Sequence, residues 1–311
     1  MDESIYWAHL AAVEGMGAVT FEALIKRFGS IQRAMSAPLD QLKEIPSLDE
    51  LTAEAIRQAH STLDATREKI EELESKGIRV LTSLNNGYPA RLREAANPPP
   101  VIYQAGKWEA QDMLAVAIIG SRECSAVSAK RAREYAHFFA EQGLTIVSGY
   151  AEGVDLSAHR GTLEAGGRTI IIPGCGADHF DFSPLSDLGI TSFLEAAAHG
   201  VWFTEQSPEA KWSAQGSLAR NRLVAALAQV VLVIEAALDS STLDTVFRAK
   251  KLKRPIFAQS HATITKKVMG NEKLIKEGAV VVETKADLLP IIELVKEQRG
   301  KGKKKPDDPR R

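Results

Sequence analysis

The sequence predicts an α/β fold: a parallel sheet with helices on both faces, preceded by a small all-helical domain. Three observations predict it. Short apolar runs suited to buried strands recur beyond residue 100, amphipathic stretches of helix length separate most of them, and the first 80 residues show helical spacing until one short strand at their end. Parallel strands need helical crossovers, so this alternation describes a Rossmann-like sheet.

In chain order, Gly15 and Gly17 mark a tight turn, and Thr20 is a candidate N-cap for a helix ending near Phe28 and Gly29. A second unit follows, with Ile45-Pro46-Ser47 as its turn and 51–63 as its helix. The two units have a helix-hairpin-helix or SAM-like character, whose turn amides can face a DNA phosphate. A plain helical packing domain punctuated by glycine fits the same pattern. Residues 78–81 then read as a strand, and Asn97-Pro98-Pro99-Pro100 marks a break, because consecutive prolines forbid helix. Buried strands are expected at 115–119, 145–147, 169–172, 201–204, 230–234, 255–257 and 279–282. Helices are expected at 128–141, 154–164, 221–227, 243–250 and 286–296. The division is then 1–80 for the helical domain, 81–297 for the α/β domain and 298–311 for a basic disordered tail.

Composition narrows the function. The 311 residues carry 39 Lys+Arg and 40 Asp+Glu, a net charge of −1 with 44% hydrophobic residues, which is ordinary globular composition. The longest apolar stretch, 223–234, is too short for a membrane span and contains Gln229. MDESIYWAHL lacks the basic start of a secretory signal, so a cytoplasmic location is expected. Cys124 and Cys175 form no metal-binding pair, so no metal and no cofactor are expected. Near-neutrality hides an uneven distribution: basic and acidic side chains number 11 and 15 in residues 1–100, 7 and 12 in 101–200, and 21 and 13 in 201–311. The basic final third points to an anion-binding face.

In a parallel sheet the ligand crevice lies at the carboxyl ends of the strands, where helix N-termini present unpaired amides. Two adjacent strand ends carry suitable loops, Gly120-Ser121-Arg122 and Ser148-Gly149-Tyr150-Ala151-Glu152-Gly153. Neither matches a Walker or dinucleotide glycine motif. Asp155 and His159 cap a helix and pack against its loop in the simplest reading. Asp178, His179 and Asp181 lack a further cluster that would complete a metal or nuclease centre.

The text YPARLREAANPPPVIYQAG, AVAIIGSRECS, VSGYAEGVDLSAHRGTLEAGGRTIIIPGCGAD, ARNRLVAAL, VVLVIEA and GNEKLIKEGA, covering most of residues 88–280, resembles the DNA-processing protein A family, DprA or Smf. That resemblance implies a cytosolic protein without catalytic turnover that binds and protects single-stranded DNA in natural transformation. It also implies a RecA-type recombinase as partner, loaded onto the strand, and a homodimer. Carried onto this sequence, it assigns Gly120, Ser121, Arg122, Ser148, Gly149, Ala151, Gly153, Arg220, Asn221 and Arg222 to phosphate binding. Guanidinium groups pair with phosphate oxygens as a fork, which suits the role. Arg220 or Arg222 could instead cap a carbonyl or pair with Glu235. The run Arg248 to Arg254 holds five basic residues in seven, so Lys250 and Lys251, with Lys266, Lys267, Lys273 and Lys276, are expected to form a basic stripe beside the crevice. Trp202, Phe203 and Trp212 are available to stack on bases, with core packing the simpler role for the first two.

Departures from the family pattern mark a divergent member. Glu152 replaces a basic residue, Ala219 replaces an Arg before R-N-R, 240–243 replaces a Ser-Gly-Ser-Leu loop, and the winged helix that ends many members is not seen. These departures keep a second function class open: a nucleotide-binding sensor related to the lysine-decarboxylase-like group, acting in defence against foreign DNA. The glycine framework of that group's hydrolases is missing from 235–242. A third class, a protein-interaction scaffold that keeps the fold and binds neither ligand, shares the same frame.

Overall fold

A computed structural model describes residues 3–301. The helices α1 (Glu3–Ala11), α2 (Ala18–Phe28), α3 (Ile31–Met35), α4 (Leu39–Lys43), α5 (Glu50–Ala59) and α6 (Leu63–Ser75) precede strands β1 (Ile78–Thr82) and β2 (Val101–Gly106). Then come β3 (Ala115–Ile119), α7 (Ala126–Glu141), β4 (Thr145–Ser148), α8 (Val154–Glu164), β5 (Thr169–Ile171), α9 (Phe193–Ala198) and β6 (Gly200–Thr204). The chain continues through α10 (Ala214–Leu227), β7 (Val230–Val233), α11 (Thr242–Lys251), β8 (Ile256–Gln259), α12 (Met269–Lys276), β9 (Val280–Val282) and α13 (Leu289–Lys301). Helix α13 reaches four residues into the segment expected to be a tail, and 302–311 lie outside the described residues.

Contacts group the chain into two units, Met1–Lys107 with Pro173–Leu223 and Trp108–Ile172 with Val224–Arg311. The boundary expected at 80/81 therefore runs inside the first unit. In that unit the six N-terminal helices bury Leu10, Leu24, Ile31 and Ile56 completely, and the Trp7 and Phe21 rings stack at 4.7 Å. Helix α2 starts two residues before the expected cap: Gly17 is the N-cap without a side-chain bond, and Thr20 is buried within the helix. Gly29, at φ +80°, closes it as expected by donating to the Ile25 carbonyl. Strands β1, β2 and β6 pair antiparallel. Strand β2 is an addition to the expected set. Its Val-Ile-Tyr-Gln-Ala-Gly run is interrupted by Gln104, which is nevertheless buried, with its amide donating to the Gly106 carbonyl at 3.0 Å.

The second unit holds the parallel strands in the order β5-β4-β3-β7-β8-β9. Every residue of β3, β4, β5, β7 and β8 is buried, because helices cover both faces and continuous apolar runs are the result. Its core joins Ile118, Phe139, Ile146, Leu232, Phe257 and Val295. One buried ion pair sits at its margin, where Arg168 donates to Asp112 at 2.9 and 3.1 Å, and Thr145 donates to the same carboxylate.

Helices α7 and α8 cross with almost no space between backbones. A Cβ on Gly161 would lie 2.0 Å from the Arg133 carbonyl oxygen, so only glycine permits this approach. Gly161→Ala is expected to destabilise the fold by about 1–3 kcal/mol through overpacking. Gly87→Ala, which meets nothing within 4 Å, is expected to change stability by less than about 0.5 kcal/mol. Urea denaturation midpoints of the two variants provide the comparison.

Candidate nucleic-acid interface

The carboxyl edge of the second unit is built by locking loops together through their backbones. The Ser121 N–H donates to the Glu235 carbonyl at 2.7 Å, and the Ser121 carbonyl accepts from the Val154 N–H at 3.2 Å. Three strand ends, of β3, β4 and β7, are thereby joined at one residue. Gly120 and Gly153 make the approach possible. A Cβ on Gly120 would lie 2.6 Å from Val154 Cγ2, and Gly153, at φ +79°, would place one 2.4 Å from the carbonyl oxygens of Ser121 and Arg122. These glycines, expected as a phosphate cradle, admit the close approach of the neighbouring loops.

Other donors assigned to phosphate are used inside the protein as well. Ser148 is fully buried and its hydroxyl donates to the Ile118 carbonyl at 2.6 Å, tying β4 to β3. Gly149 is also buried. The Ala151 N–H points at Asp155 Oδ2, 3.5 Å away, and His159 shares a 2.7 Å hydrogen bond with Thr169. The N-cap of α8 is Gly153 without a side-chain bond, so the capping expected of Asp155 is not how the helix starts. Tyr150 adopts φ +73°, a left-handed backbone that a bulky side chain rarely takes. Nothing in the local sequence announces it. Glu152 is exposed on the same loop.

The N-terminus of α7 is the natural anion site of this edge, and the protein fills it with its own carboxylate. Glu235, 1% exposed, accepts the Ser125 N–H at 3.1 and 3.2 Å and the Ser125 hydroxyl at 2.8 Å. Burial, with the Glu235 charge beside it, pushes the Cys124 thiol up from its usual range. Arg122 stands exposed between these fixed points. Lys267 adds a second exposed cation, its ammonium donating to the Glu123 carbonyl at 2.8 Å. Sequence proximity alone had placed it only near a stripe. Asn271, fully buried, completes the scaffold: its amide donates to the carbonyls of Val233, Ile234 and Gln259, and its oxygen accepts the Ala236 N–H at 2.7 Å.

Lys250 and Lys251 fall elsewhere. Helix α11 leaves the carboxyl end of β7 and runs back toward the start of β8, so its C-terminus lies at the opposite edge of the sheet from Arg122. There Lys250 pairs with Glu277 at 2.8 Å, and the Lys251 ammonium sits 4.4 Å over the Phe247 ring. The expected continuous stripe is broken by topology.

In the first unit, R-N-R lies on α10, whose start is seven residues earlier than expected and whose first turn is bonded from Gly216 N–H to Ser213 Oγ at 2.9 Å. Arg220 and Asn221 are buried. Arg222, also expected to bind phosphate, is committed internally. It forks onto both oxygens of Glu205, donates through Nε to the carbonyls of Ala96 and Asn97 at 3.0 Å, and reaches the Ala219 carbonyl at 2.8 Å. Its carboxylate partner is therefore Glu205 rather than Glu235. Lys211 to Ser213 ahead of the helix and its first residues, Ala214 and Gln215, are exposed, with Trp212 53% exposed, whereas Trp202 and Phe203 are core residues. Gly176 N–H and Asp178 N–H donate to the carbonyls of Ala210 and Pro208, which holds this segment on the Gly174 to Gly176 loop.

Asp178 pairs with Lys69 at 3.0 Å and Asp181 accepts from Ser183, and among the described residues no three His, Cys, Asp or Glu side chains are grouped to hold a metal. No helix among the described residues is long and apolar enough to cross a membrane.

A family model for DNA recombination-mediator protein A matches residues 79–293. Protein Smf of Synechocystis sp. is 30% identical over 96% of this chain and 76% of its own length. The DNA processing protein A of Streptococcus pneumoniae matches with a TM-score of 0.73 at 25% identity, over 93% of this chain and 98% of that one. DNA processing protein A from Helicobacter pylori, a protein with a single-stranded DNA binding mode, matches with a TM-score of 0.58 at 27% identity, over 71% of this chain and 96% of that one.

Breaking the Arg222 clamp leaves Glu205 half-buried and unpaired. Arg222→Ala is expected to cost about 3–5 kcal/mol of stability. Arg222→Lys should recover little, since an ammonium cannot reproduce the fork. Thermal and urea denaturation read both.

Proposed function

The chain belongs to the DNA recombination-mediator protein A family, and on that premise we propose that it binds single-stranded DNA through backbone phosphates. What carries this reading is Arg122, an exposed guanidinium on a loop whose base is fixed by Glu235 and Gly153. A phosphate held this way gains a charge-assisted fork, and the loop loses little entropy on binding because it is already ordered. Lys267 lies on the same carboxyl edge and extends the positive surface. Contacts of this kind read the backbone and carry no sequence information.

The family's description as a recombination mediator supports a finer reading. The protein would hold a strand without catalytic turnover and pass it to a RecA-type recombinase. A homodimer would double the phosphate track, and a cytoplasmic location would suit both partners. Exposed Glu152 tempers the affinity of the track by repulsion, while the cation–phosphate contacts make binding fall with salt.

A salt titration with oligo-dT tests the core of this reading. Arg122→Ala is expected to weaken binding by about tenfold for every sequence alike. It should also lower the slope of log affinity against log salt by about 0.7, the value for one single-strand phosphate. Lys250→Ala with Lys251→Ala, at the opposite edge, should leave both quantities unchanged. An absent mobility shift at low salt would remove the reading. Nucleation of recombinase filaments on the same oligonucleotide, with and without the protein, tests the mediator step.

A further inference from the structure

The carboxyl edge of the second unit contains a hollow of whose lining only Lys267 belongs to the phosphate-binding surface proposed above. It measures about 400 Å³ and is lined by Ala237, Leu238 and Asp239 after β7 and by Lys266, Lys267 and Met269 after β8. We propose that this hollow binds a nucleoside phosphate.

Four features of the site lead there. First, it is preformed. Asn271 bonds to the ends of β7 and β8, the Gly270 N–H donates to the Ala236 carbonyl at 2.8 Å, and Lys267 is tied to the Glu123 carbonyl, so both walls are fixed before any ligand arrives. Second, its floor is apolar and open. Leu238 is 49% and Met269 41% exposed, and both line the hollow. The flat face of a nucleobase is a suitable cover, and the Met269 thioether adapts readily to an aromatic ring.

Third, the polar groups are distributed as a nucleotide requires. Two neighbouring lysines stand at one wall, and the Lys266 ammonium has no hydrogen-bond or ion-pair partner among the described residues, while Asp239 supplies an acceptor for a ribose hydroxyl. The adjoining hollow, which shares Leu238 and Met269, balances Glu272 and Glu277 against Lys273 and Lys276, so the lysine pair with a single nearby acceptor is particular to this one. Fourth, the volume lies in the range of small-ligand pockets and suits one nucleotide rather than several. The position agrees with the general rule for such sheets. The hollow lies between the loops after β7 and β8, at the carboxyl ends of neighbouring parallel strands, where such sheets bind ligands, and one strand away from the β3–β7 switch point.

The nucleotide could be free in solution or belong to a bound DNA strand, and calorimetry on the full chain separates these sources. AMP and oligo-dT are titrated into the wild type, Lys266→Ala and Leu238→Glu, with thermal melting as a check that both surface variants stay folded. AMP binding is expected, weakened about tenfold by Lys266→Ala, the loss of one charge-assisted hydrogen bond. Leu238→Glu is expected to reduce it below detection. If oligo-dT affinity is unchanged in both variants, the site takes a free nucleotide. If AMP does not bind but both variants lose oligo-dT affinity, the nucleotide comes from the strand. The proposal is overturned by AMP binding that neither variant alters, or by absent AMP binding together with unaltered oligo-dT affinity. Because Arg122 is intact in both variants, failure here leaves the single-strand reading standing, and Arg122→Ala tests that reading separately.

Discussion

The backbone of Ser121 is the joint on which the carboxyl edge depends. Its N–H is taken by Glu235 at the end of β7 and its carbonyl by Val154 at the start of α8, so three loops from three strands share one residue. Neither bond could form if Gly120 or Gly153 carried a side chain. Two consequences follow for function. The loop bearing Arg122 has little freedom of its own, which makes the guanidinium a fixed rather than a searching charge. The cost of ordering that loop is also met during folding, when the sheet forms, and not during binding.

Charge is handled with the same economy. The start of α7 would attract a phosphate, yet Glu235 already occupies it, satisfying an orphan N–H and the Ser125 hydroxyl with a buried carboxylate. Arg222 is saturated by Glu205 and three carbonyls, and Lys250 and Lys251 are directed to the far edge by the run of α11. Several positions that look phosphate-directed in the sequence thus have partners within the protein. The positive surface proposed for the strand at the carboxyl edge of the second unit is correspondingly narrow, resting on Arg122 and Lys267. A narrow track in a nearly neutral protein favours salt-sensitive binding that reads no sequence.

Much of this architecture is legible in the sequence where periodicity is strong. The parallel strands appear as uninterrupted apolar runs because both faces of the sheet are covered, and β3 and α8 match their expected bounds to the residue. Legibility fails where tertiary contact overrides local pattern. Strand β2 hides behind Gln104, and α10 begins before its expected start because Ser213 and Gly216 resemble loop residues until the hydroxyl is seen capping the turn. The site divides the same way. Arg122 and its loop are readable from position, since strand ends bear ligands in any such sheet. The roles of Gly120, Gly153 and Ser148 are not, because a glycine that admits a phosphate and one that admits a neighbouring carbonyl leave the same letter.

The lock also constrains how the loops can change without losing the fold. Ser121 contributes only backbone atoms to it, and Arg122 contributes a carbonyl that lies close to Gly153. The bonds that make the joint are backbone bonds, and Glu152 lies exposed on the facing loop. Substitution at these positions alters the charge offered to a ligand while the three strand ends stay joined. Substitution at Gly120, Gly153 or Glu235 does the reverse, since each of these holds backbone or fills the buried anion position. Position 152 belongs to the first kind: an exposed carboxylate there changes the electrostatics of the edge and takes no part in the backbone bonds that hold its geometry.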